Sequence, residues 1–233
     1  MTKSPFPNTL THLVKKQTLK YGSREAFSFR EEGATANIVT TWQEFDTQVD
    51  NGASALEILG IATGEHIGIF SANRPQNLIL DFAAYAIRSA PVSIYSTSSQ
   101  DQVEYIVDDA QIKVLGVGNR KQYEIARKAM KRCHSLEHLI ALSNFHIDTD
   151  DTSTLTFEQF LSLGAEATDA CRAEVEKRRN EAKPDDVATL IYTSGTTGEP
   201  KGAILPHSCF DAAMEIHRQR LNILSDSDTS VSF

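Results

Sequence analysis

The stretch VATLIYTSGTTGEPKGAILPH, residues 187–207, contains two β-rich segments separated by a run of Ser, Thr and Gly. Residues 187–194 are rich in β-branched and aromatic side chains, which predicts a buried strand. A second strand is predicted over 203–206, and a helix from about His207 to Leu221. The polar run suits neither a helix nor a core. These residues therefore predict a strand–loop–strand unit that leads into a helix.

Upstream of this unit, short apolar strands alternate with helices. A hairpin is predicted over 26–41, and an acidic stretch from Asn144 to Thr154 predicts a loop or linker. Single strands are predicted over 66–71, 91–96, 112–118 and 138–143. Strands that alternate with helices in this way indicate βαβ units. The predicted fold class is therefore α/β, with a mostly parallel sheet flanked by helices.

Composition excludes several classes of protein. The 233 residues carry 23 Lys and Arg against 31 Asp and Glu, a net charge of -8, which argues against a nucleic-acid partner. Three cysteines, Cys133, Cys171 and Cys209, form no CxxC pair, so neither a disulfide framework nor a zinc site is indicated. No signal peptide and no transmembrane segment are predicted, because no apolar run is long enough. A reducing, cytoplasmic location is the prediction.

The polar run, Tyr192 to Gly202, has the chemistry of an anion-binding loop. Glycines allow close approach of a ligand, successive amides form an anion-binding concavity, and Lys201 adds a positive charge. The run is not a Walker A loop, since Pro200 precedes the lysine and a strand rather than a helix follows. A flexible Ser/Thr/Gly hairpin without a ligand is the alternative interpretation.

The string LIYTSGTTGEPK, residues 190–201, resembles the phosphate loop of the adenylate-forming, AMP-binding superfamily. TWQEF (41–45), IGIFSANRP (67–75) and residues 86–113 are similar to the N-terminal part of long-chain fatty-acid–CoA ligases. This resemblance implies that residues 1–233 are the N-terminal part of the large AMP-binding domain, with the rest of that domain and the C-terminal domain absent.

The resemblance also implies a reaction. Such ligases activate a fatty acid with Mg-ATP to acyl-AMP and then transfer the acyl group to CoA. Mg would contact Thr193, and no catalytic residue is identifiable in residues 1–233, so the isolated chain is expected to be inactive. The residues implied to bind the ATP phosphates are Thr193, Ser194, Gly195, Thr196, Thr197, Gly198 and Lys201.

Several alternatives stay open. The chain could be a non-catalytic nucleotide-binding remnant, or belong to another adenylate-forming enzyme such as a short-chain or aryl acid–CoA ligase or an adenylation domain. Peripheral association with the inner membrane face also stays open, as do acyl chain length, oligomeric state and pathway. His207 is interpreted as a helix-start residue with local hydrogen bonds rather than as a general base. The basic runs 113–132 and 177–179 are predicted to be solvated helix faces.

Overall fold

The computed structural model describes residues 9–30, 35–193 and 200–220. The strands in these ranges are β1 (Glu25–Phe29), β2 (Ile38–Thr41), β3 (His66–Phe70), β4 (Ala90–Ile94), β5 (Ile112–Val117), β6 (His138–Ala141), β7 (Thr154–Thr156), β8 (Val187–Thr193) and β9 (Lys201–Pro206). The α-helices are α1 (Leu13–Tyr21), α2 (Trp42–Ile58), α3 (Pro75–Ala86), α4 (Gln100–Asp109), α5 (Arg120–Met130), α6 (Phe157–Ala165), α7 (Asp169–Asn180) and α8 (His207–Arg220). A 3-10 turn, Leu10–His12, leads into α1.

Seven strands form one sheet in the order β7-β6-β5-β3-β4-β8-β9. Every neighbouring pair from β7 to β8 is parallel, whereas β9 returns antiparallel to β8. The prediction of an α/β fold with a mostly parallel sheet is therefore confirmed. The central strands β3 and β5 are almost entirely buried, as expected where helices cover both faces of a parallel sheet. The assignment of residues 1–233 to part of one large domain stays a prediction.

Local signals set the starts of several helices. Thr41 and Glu44 form a capping box before α2, and Ser99 and Gln102 form one before α4. In each box the cap hydroxyl accepts from a backbone N–H, and the third helical side chain accepts from the cap amide, so two otherwise unpaired donors are satisfied. The Thr41–Glu44 and Ser99–Gln102 pairs are the local sequence signal for these two helix starts.

The β1–β2 hairpin lies apart from the main sheet and packs against α2 and α3 through aromatic rings. Phe27 meets Phe45 edge-on at 5.2 Å between ring centroids, and Phe45 meets Phe82 at 5.7 Å. The series continues from Phe82 to Tyr85 at 5.5 Å and from Tyr85 to His207 at 5.2 Å. Edge-to-face contacts of this kind add to the stabilisation from buried area. They connect the hairpin to the first residue of α8.

The segment from Asn144 to Thr154 joins two strands of the same sheet and is not a linker between separate units. It ends in β7, a strand missed from the sequence, which pairs in parallel with β6. Asp151 orders its end: the carboxylate accepts from the hydroxyls of Tyr123, Ser153 and Thr154, and Arg127 lies 3.2 Å away. A single buried carboxylate therefore organises a polar stretch that has no apolar pattern.

The prediction that residues 177–179 form a solvated face is confirmed for Lys177, which is exposed, and is wrong for Arg178 and Arg179. Arg179 is only 4% exposed and contacts Asp50 on α2 at 2.6 Å. Arg178 contacts Glu57 on α2 at 2.9 Å and donates to the carbonyl of Ile61. The two guanidinium groups therefore bind α7 to α2.

In the basic run 113–132, the prediction of a solvated face is confirmed for Lys121, Lys128, Lys131 and Arg132, which are exposed. Lys113 and Arg127 are instead half-buried in ion pairs with Glu65 and Asp151.

None of the helices in the described ranges is both long and apolar enough to cross a membrane.

Candidate functional site

The strand pair β8–β9 brings together the two ends of the predicted phosphate loop. Thr193, the last residue of β8, lies directly opposite Lys201, the first residue of β9. Directly opposed residues of an antiparallel pair project to the same face, with Cα atoms roughly 4.5–5.5 Å apart. Both residues are exposed. The other predicted loop residues, Ser194, Gly195, Thr196, Thr197 and Gly198, lie outside the described residues.

The position of this pair in the sheet fits a ligand site. β8 runs parallel to β4, with Leu190 beside Val92 and Ile191 beside Ser93. Thr193 therefore lies at the edge of the sheet where the parallel strands end. In open α/β sheets, ligands bind in crevices outside the carboxyl ends of the strands.

Lys201 supplies the positive charge at this edge. Within the described residues no carboxylate forms an ion pair with it. A lysine ammonium is a compact point charge with three donors, which suits it to an anionic ligand.

Tyr192 anchors the end of β8 from the opposite face of the sheet. Its side chain is 5% exposed, and its hydroxyl donates to Asp109 Oδ2 at 2.5 Å. Burial raises the pKa of Tyr192, and the hydrogen bond to Asp109 raises it further, so the hydroxyl stays protonated and keeps donating at neutral pH. Tyr105 meets the Tyr192 ring edge-on at 6.5 Å between centroids.

Gly202 leaves room for this ring. It lies opposite Tyr192 in the ladder, and a Cβ at position 202 would come within 3.0 Å of the Tyr192 ring atom Cζ. A glycine therefore lets the ring lie against β9, next to Lys201. The sequence shows a glycine after the lysine, but only the fold shows that the Tyr192 ring lies against it.

The other end of the strand pair is fixed by buried polar contacts. Asp186, just before β8, accepts from the Arg88 guanidinium at 2.8 and 3.1 Å and from the Lys183 amide at 3.0 Å. Burial opposes the charged form, but these hydrogen bonds prevail and lower the pKa of Asp186. Asp186 therefore lies at the entry to β8 and fixes it there.

His207 begins α8 as predicted, but its side chain does not bond locally. Its ring is buried, meets Tyr85 edge-on, and its Nδ1 accepts from the Leu10 amide at 3.3 Å. Burial lowers the pKa of His207 to about 4 despite the nearby Asp186 carboxylate, so the ring is neutral at pH 7. The extended strand β9 separates it from Lys201 by roughly 20 Å. His207 therefore holds the N-terminal turn and is not a base at the loop.

The chemistry of the loop ends fits a nucleotide-bound magnesium ion. Within the described part of the chain, no group of three or more His, Cys, Asp or Glu side chains could hold a metal. Mg²⁺ in nucleotide sites takes most of its ligands from substrate phosphates and water, with only one or two from the protein. The exposed hydroxyl of Thr193 can offer one such oxygen.

Sequence reasoning missed two residues that shape this unit. Asp109 lies 83 residues before Tyr192, and Arg88 lies 98 residues before Asp186. Both are charged residues at the end of a helix or just beyond it, where a solvated side chain is the ordinary expectation. The one signal for the Tyr192 anchor in the sequence was the alternation of side chains along β8, which places Tyr192 on the same buried face as Leu190.

The fold is thus that of an α/β protein whose parallel sheet carries a strand–loop–strand unit at its carboxyl edge. The family model described as AMP-binding enzyme matches residues 14–233, and the chain belongs to this family. The superfamily resemblance found in the sequence is therefore confirmed.

Curated relatives cover most of this chain. It is 27% identical over 206 residues to the long-chain-fatty-acid–CoA ligase ACSBG2 of Gallus gallus, which covers 88% of this chain and 26% of the relative. It is 34% identical over 166 residues to fatty acyl-CoA synthetase A of Dictyostelium discoideum, which covers 69% of this chain and 24% of that protein. The chain therefore spans about a quarter of the length of these relatives.

Solved structures share the fold. The anthranilate CoA ligase AuaEII, in complex with anthranoyl-AMP, superposes with a TM-score of 0.73 at 19% identity, over 92% of this chain and 38% of that chain. A fatty acyl CoA synthetase of Mycobacterium tuberculosis superposes with a TM-score of 0.61 at 17% identity, over 86% of this chain and 35% of that one.

Proposed function

We propose that residues 1–233 supply the triphosphate-binding part of an AMP-forming acyl-CoA ligase, an acid–thiol ligase that acts on long-chain fatty acids. The observation that carries the proposal is the register of Thr193 opposite Lys201 at the carboxyl edge of the sheet. The names of the relatives support the fatty-acid substrate. The protein would act in fatty-acid and lipid metabolism.

In this proposal the loop binds the β- and γ-phosphates of ATP. The amides and hydroxyls from Thr193 to Gly198 donate to phosphate oxygens, and Lys201 neutralises their charge. An oxygen of the fatty-acid carboxylate forms a bond to the α-phosphorus, and the bond from that phosphorus to the bridging oxygen of pyrophosphate breaks. The CoA thiol then attacks the acyl carbon, and AMP leaves. Because two anions must approach each other, positioning and charge neutralisation supply most of the catalysis.

Magnesium, held by the phosphates and by Thr193, would supply further charge neutralisation when bound. We also propose a cytoplasmic location, supported by the three free cysteines, Cys133, Cys171 and Cys209. Peripheral association with the inner membrane face is the alternative, and fractionation of cells into cytosol and membranes distinguishes the two.

Titration calorimetry of residues 1–233 with Mg-ATP tests the phosphate site. We expect Lys201→Ala and Thr193→Ala to weaken binding by about tenfold or more, since each removes a contact to a charged group. Lys183→Ala is the matched control, because its exposed side chain lies before the start of β8, at the end of the strand away from Thr193. Failure of the wild-type chain to bind Mg-ATP, or equal binding by all variants, would overturn the proposal.

Turnover is tested separately. We propose that residues 1–233 alone bind Mg-ATP without forming acyl-CoA, since they span about a quarter of the relatives. Acyl-CoA formation from palmitate, ATP and CoA by these residues would contradict this. For the protein as the cell makes it, ATP–pyrophosphate exchange with long-chain fatty acids is expected. Exchange with only aryl or amino acids would assign it to another branch of the family, and no exchange at all would favour a non-catalytic remnant.

A further inference from the structure

The hydrogen bond between Tyr192 and Asp109 joins the loop-bearing strand to a distant helix. Asp109 is the last residue of α4, and its carboxylate accepts from the Tyr192 hydroxyl at 2.5 Å. A bond from a hydroxyl to an ionised carboxylate is short and about twice as strong as a neutral one. It therefore fixes the position of the ring tip relative to α4.

The ring has little freedom to move sideways. Tyr105, one turn before Asp109 on α4, meets it edge-on, and the Gly202 backbone lies against it. Tyr192 belongs to the core cluster that includes Val103 and Ile106 of α4. Three features thus hold the ring: a buried apolar contact, a glycine that admits it, and a charged acceptor at its tip.

This anchor acts on both ends of the loop. Tyr192 precedes Thr193 in β8, and Gly202, which contacts the ring, follows Lys201 in β9. A displacement of the ring would therefore shift the two residues proposed to contact the triphosphate. Because bound anions are recognised by donors placed to within about an ångström, such a shift weakens binding without removing any donor.

We propose that Asp109 is a positioning residue for the phosphate loop: through Tyr192 it holds Thr193 and Lys201 in the register that binds the triphosphate of ATP. The inference rests on the proposed function of the loop. Asp109 itself touches no substrate, so it acts on affinity only through the tyrosine.

Four variants of residues 1–233 test this inference. Asp109→Ala removes the acceptor, and Tyr192→Phe removes the donor but keeps the ring. Asp109→Asn retains an acceptor oxygen and serves as the conservative rescue. Asp108→Ala is the matched control, because it removes the neighbouring exposed carboxylate. Within the described residues, that carboxylate forms no hydrogen bond. Each protein is titrated with Mg-ATP, and its unfolding is measured in urea.

We expect Asp109→Ala and Tyr192→Phe to weaken Mg-ATP binding by up to about tenfold, because the effect on binding is limited by the free energy of the charge-assisted hydrogen bond that is lost. Asp109→Asn should stay within about threefold of wild type, and Asp108→Ala should match wild type. Hydrogen exchange of peptides from residues 187–206 should be faster in Asp109→Ala than in Asp108→Ala. A merely structural role would lower the urea midpoint of Asp109→Ala and leave the Mg-ATP affinity of the folded protein unchanged.

The outcomes separate the two proposals. If wild type binds Mg-ATP and Asp109→Ala binds it equally well, the positioning role is overturned and the phosphate site stands. If wild type does not bind Mg-ATP, the phosphate site is overturned, and the positioning role falls with it. Hydrogen exchange then shows whether Asp109 still orders the strand pair.

Discussion

Arg88 and Asp186 are joined by two hydrogen bonds, from Nε at 2.8 Å and from Nη2 at 3.1 Å. Arg88 follows α3 in a left-handed backbone conformation, with φ 58°, and Asp186 immediately precedes β8. The pair therefore fixes the start of the loop-bearing strand to the turn between α3 and β4. Arg88 also lies 3.7 Å from Glu181.

Breaking this pair should destabilise the fold at neutral pH. We expect Asp186→Asn to lower the free energy of unfolding by about 2 kcal/mol at pH 7, since both partners are largely but not fully buried. The pKa of Asp186 is lowered in the folded state, so its contribution is complete above the unfolded pKa of about 4 and is lost as the pH falls below it. Urea unfolding at pH 7 and pH 3 measures both values. Asp185→Asn, an exposed neighbour, is the control and should change little.

Asp151 should be the position in the 144–154 segment at which a substitution lowers the stability of the fold most. Burial opposes its charged form, but hydrogen bonds from Thr154, Ser153 and Tyr123 lower the pKa of Asp151 to about 2. We expect Asp151→Asn to cost roughly 2–4 kcal/mol at pH 7, and the cost to shrink as the pH falls from 4 toward 2. Thermal unfolding at several pH values tests this. Asp150→Asn at an exposed position should behave as wild type, and an equal effect of both substitutions would contradict the prediction.

Asp81 should reduce stability at high pH. Burial alone raises the pKa of Asp81, on α3, to about 7. Between pH 4 and pH 7 the Asp81 carboxyl is ionised in the unfolded chain but protonated in the folded protein. The free energy of unfolding therefore falls as the pH rises from 4 to 7. Part of the side chain reaches solvent, so we expect Asp81→Asn to gain only about 1–2 kcal/mol at pH 8. Urea unfolding at pH 4, where the gain should vanish, is the internal control.

Gly202→Ala should disturb the loop through Tyr192. The added methyl would lie 3.0 Å from the ring, which is held at its tip by Asp109 and cannot move away freely. We expect a loss of about 1–2 kcal/mol in stability, the usual cost of overpacking, together with weaker Mg-ATP binding. Ala203→Ser, at the adjacent exposed position, should change stability by less than about 0.5 kcal/mol. Unchanged stability and Mg-ATP affinity in Gly202→Ala would contradict this prediction and show that the Tyr192 ring moves to make room for the methyl group.

The order of strands and helices could be predicted because its signals are local. The capping boxes at Thr41 and Ser99, Pro75 at the start of α3, and the β-branched residues of β8 each act within a few positions of the chain. β7 was not predicted, because its three residues are too few to show the alternation of side chains that marks a strand. The chemistry of the candidate loop, from Thr193 to Lys201, was likewise evident from residue types alone.

The amino-acid sequence by itself determined the α/β class, the helix boundaries and the polar loop between two strands, since these follow from short-range backbone preferences. Only the tertiary structure decided that Arg179 is buried against Asp50, that Asp109 holds Tyr192, and that Arg88 holds Asp186. Each of these contacts joins residues more than 80 positions apart. Burial of the Arg179 guanidinium becomes favourable only when the folded chain supplies Asp50 as its partner, and no local pattern in the sequence records that partner.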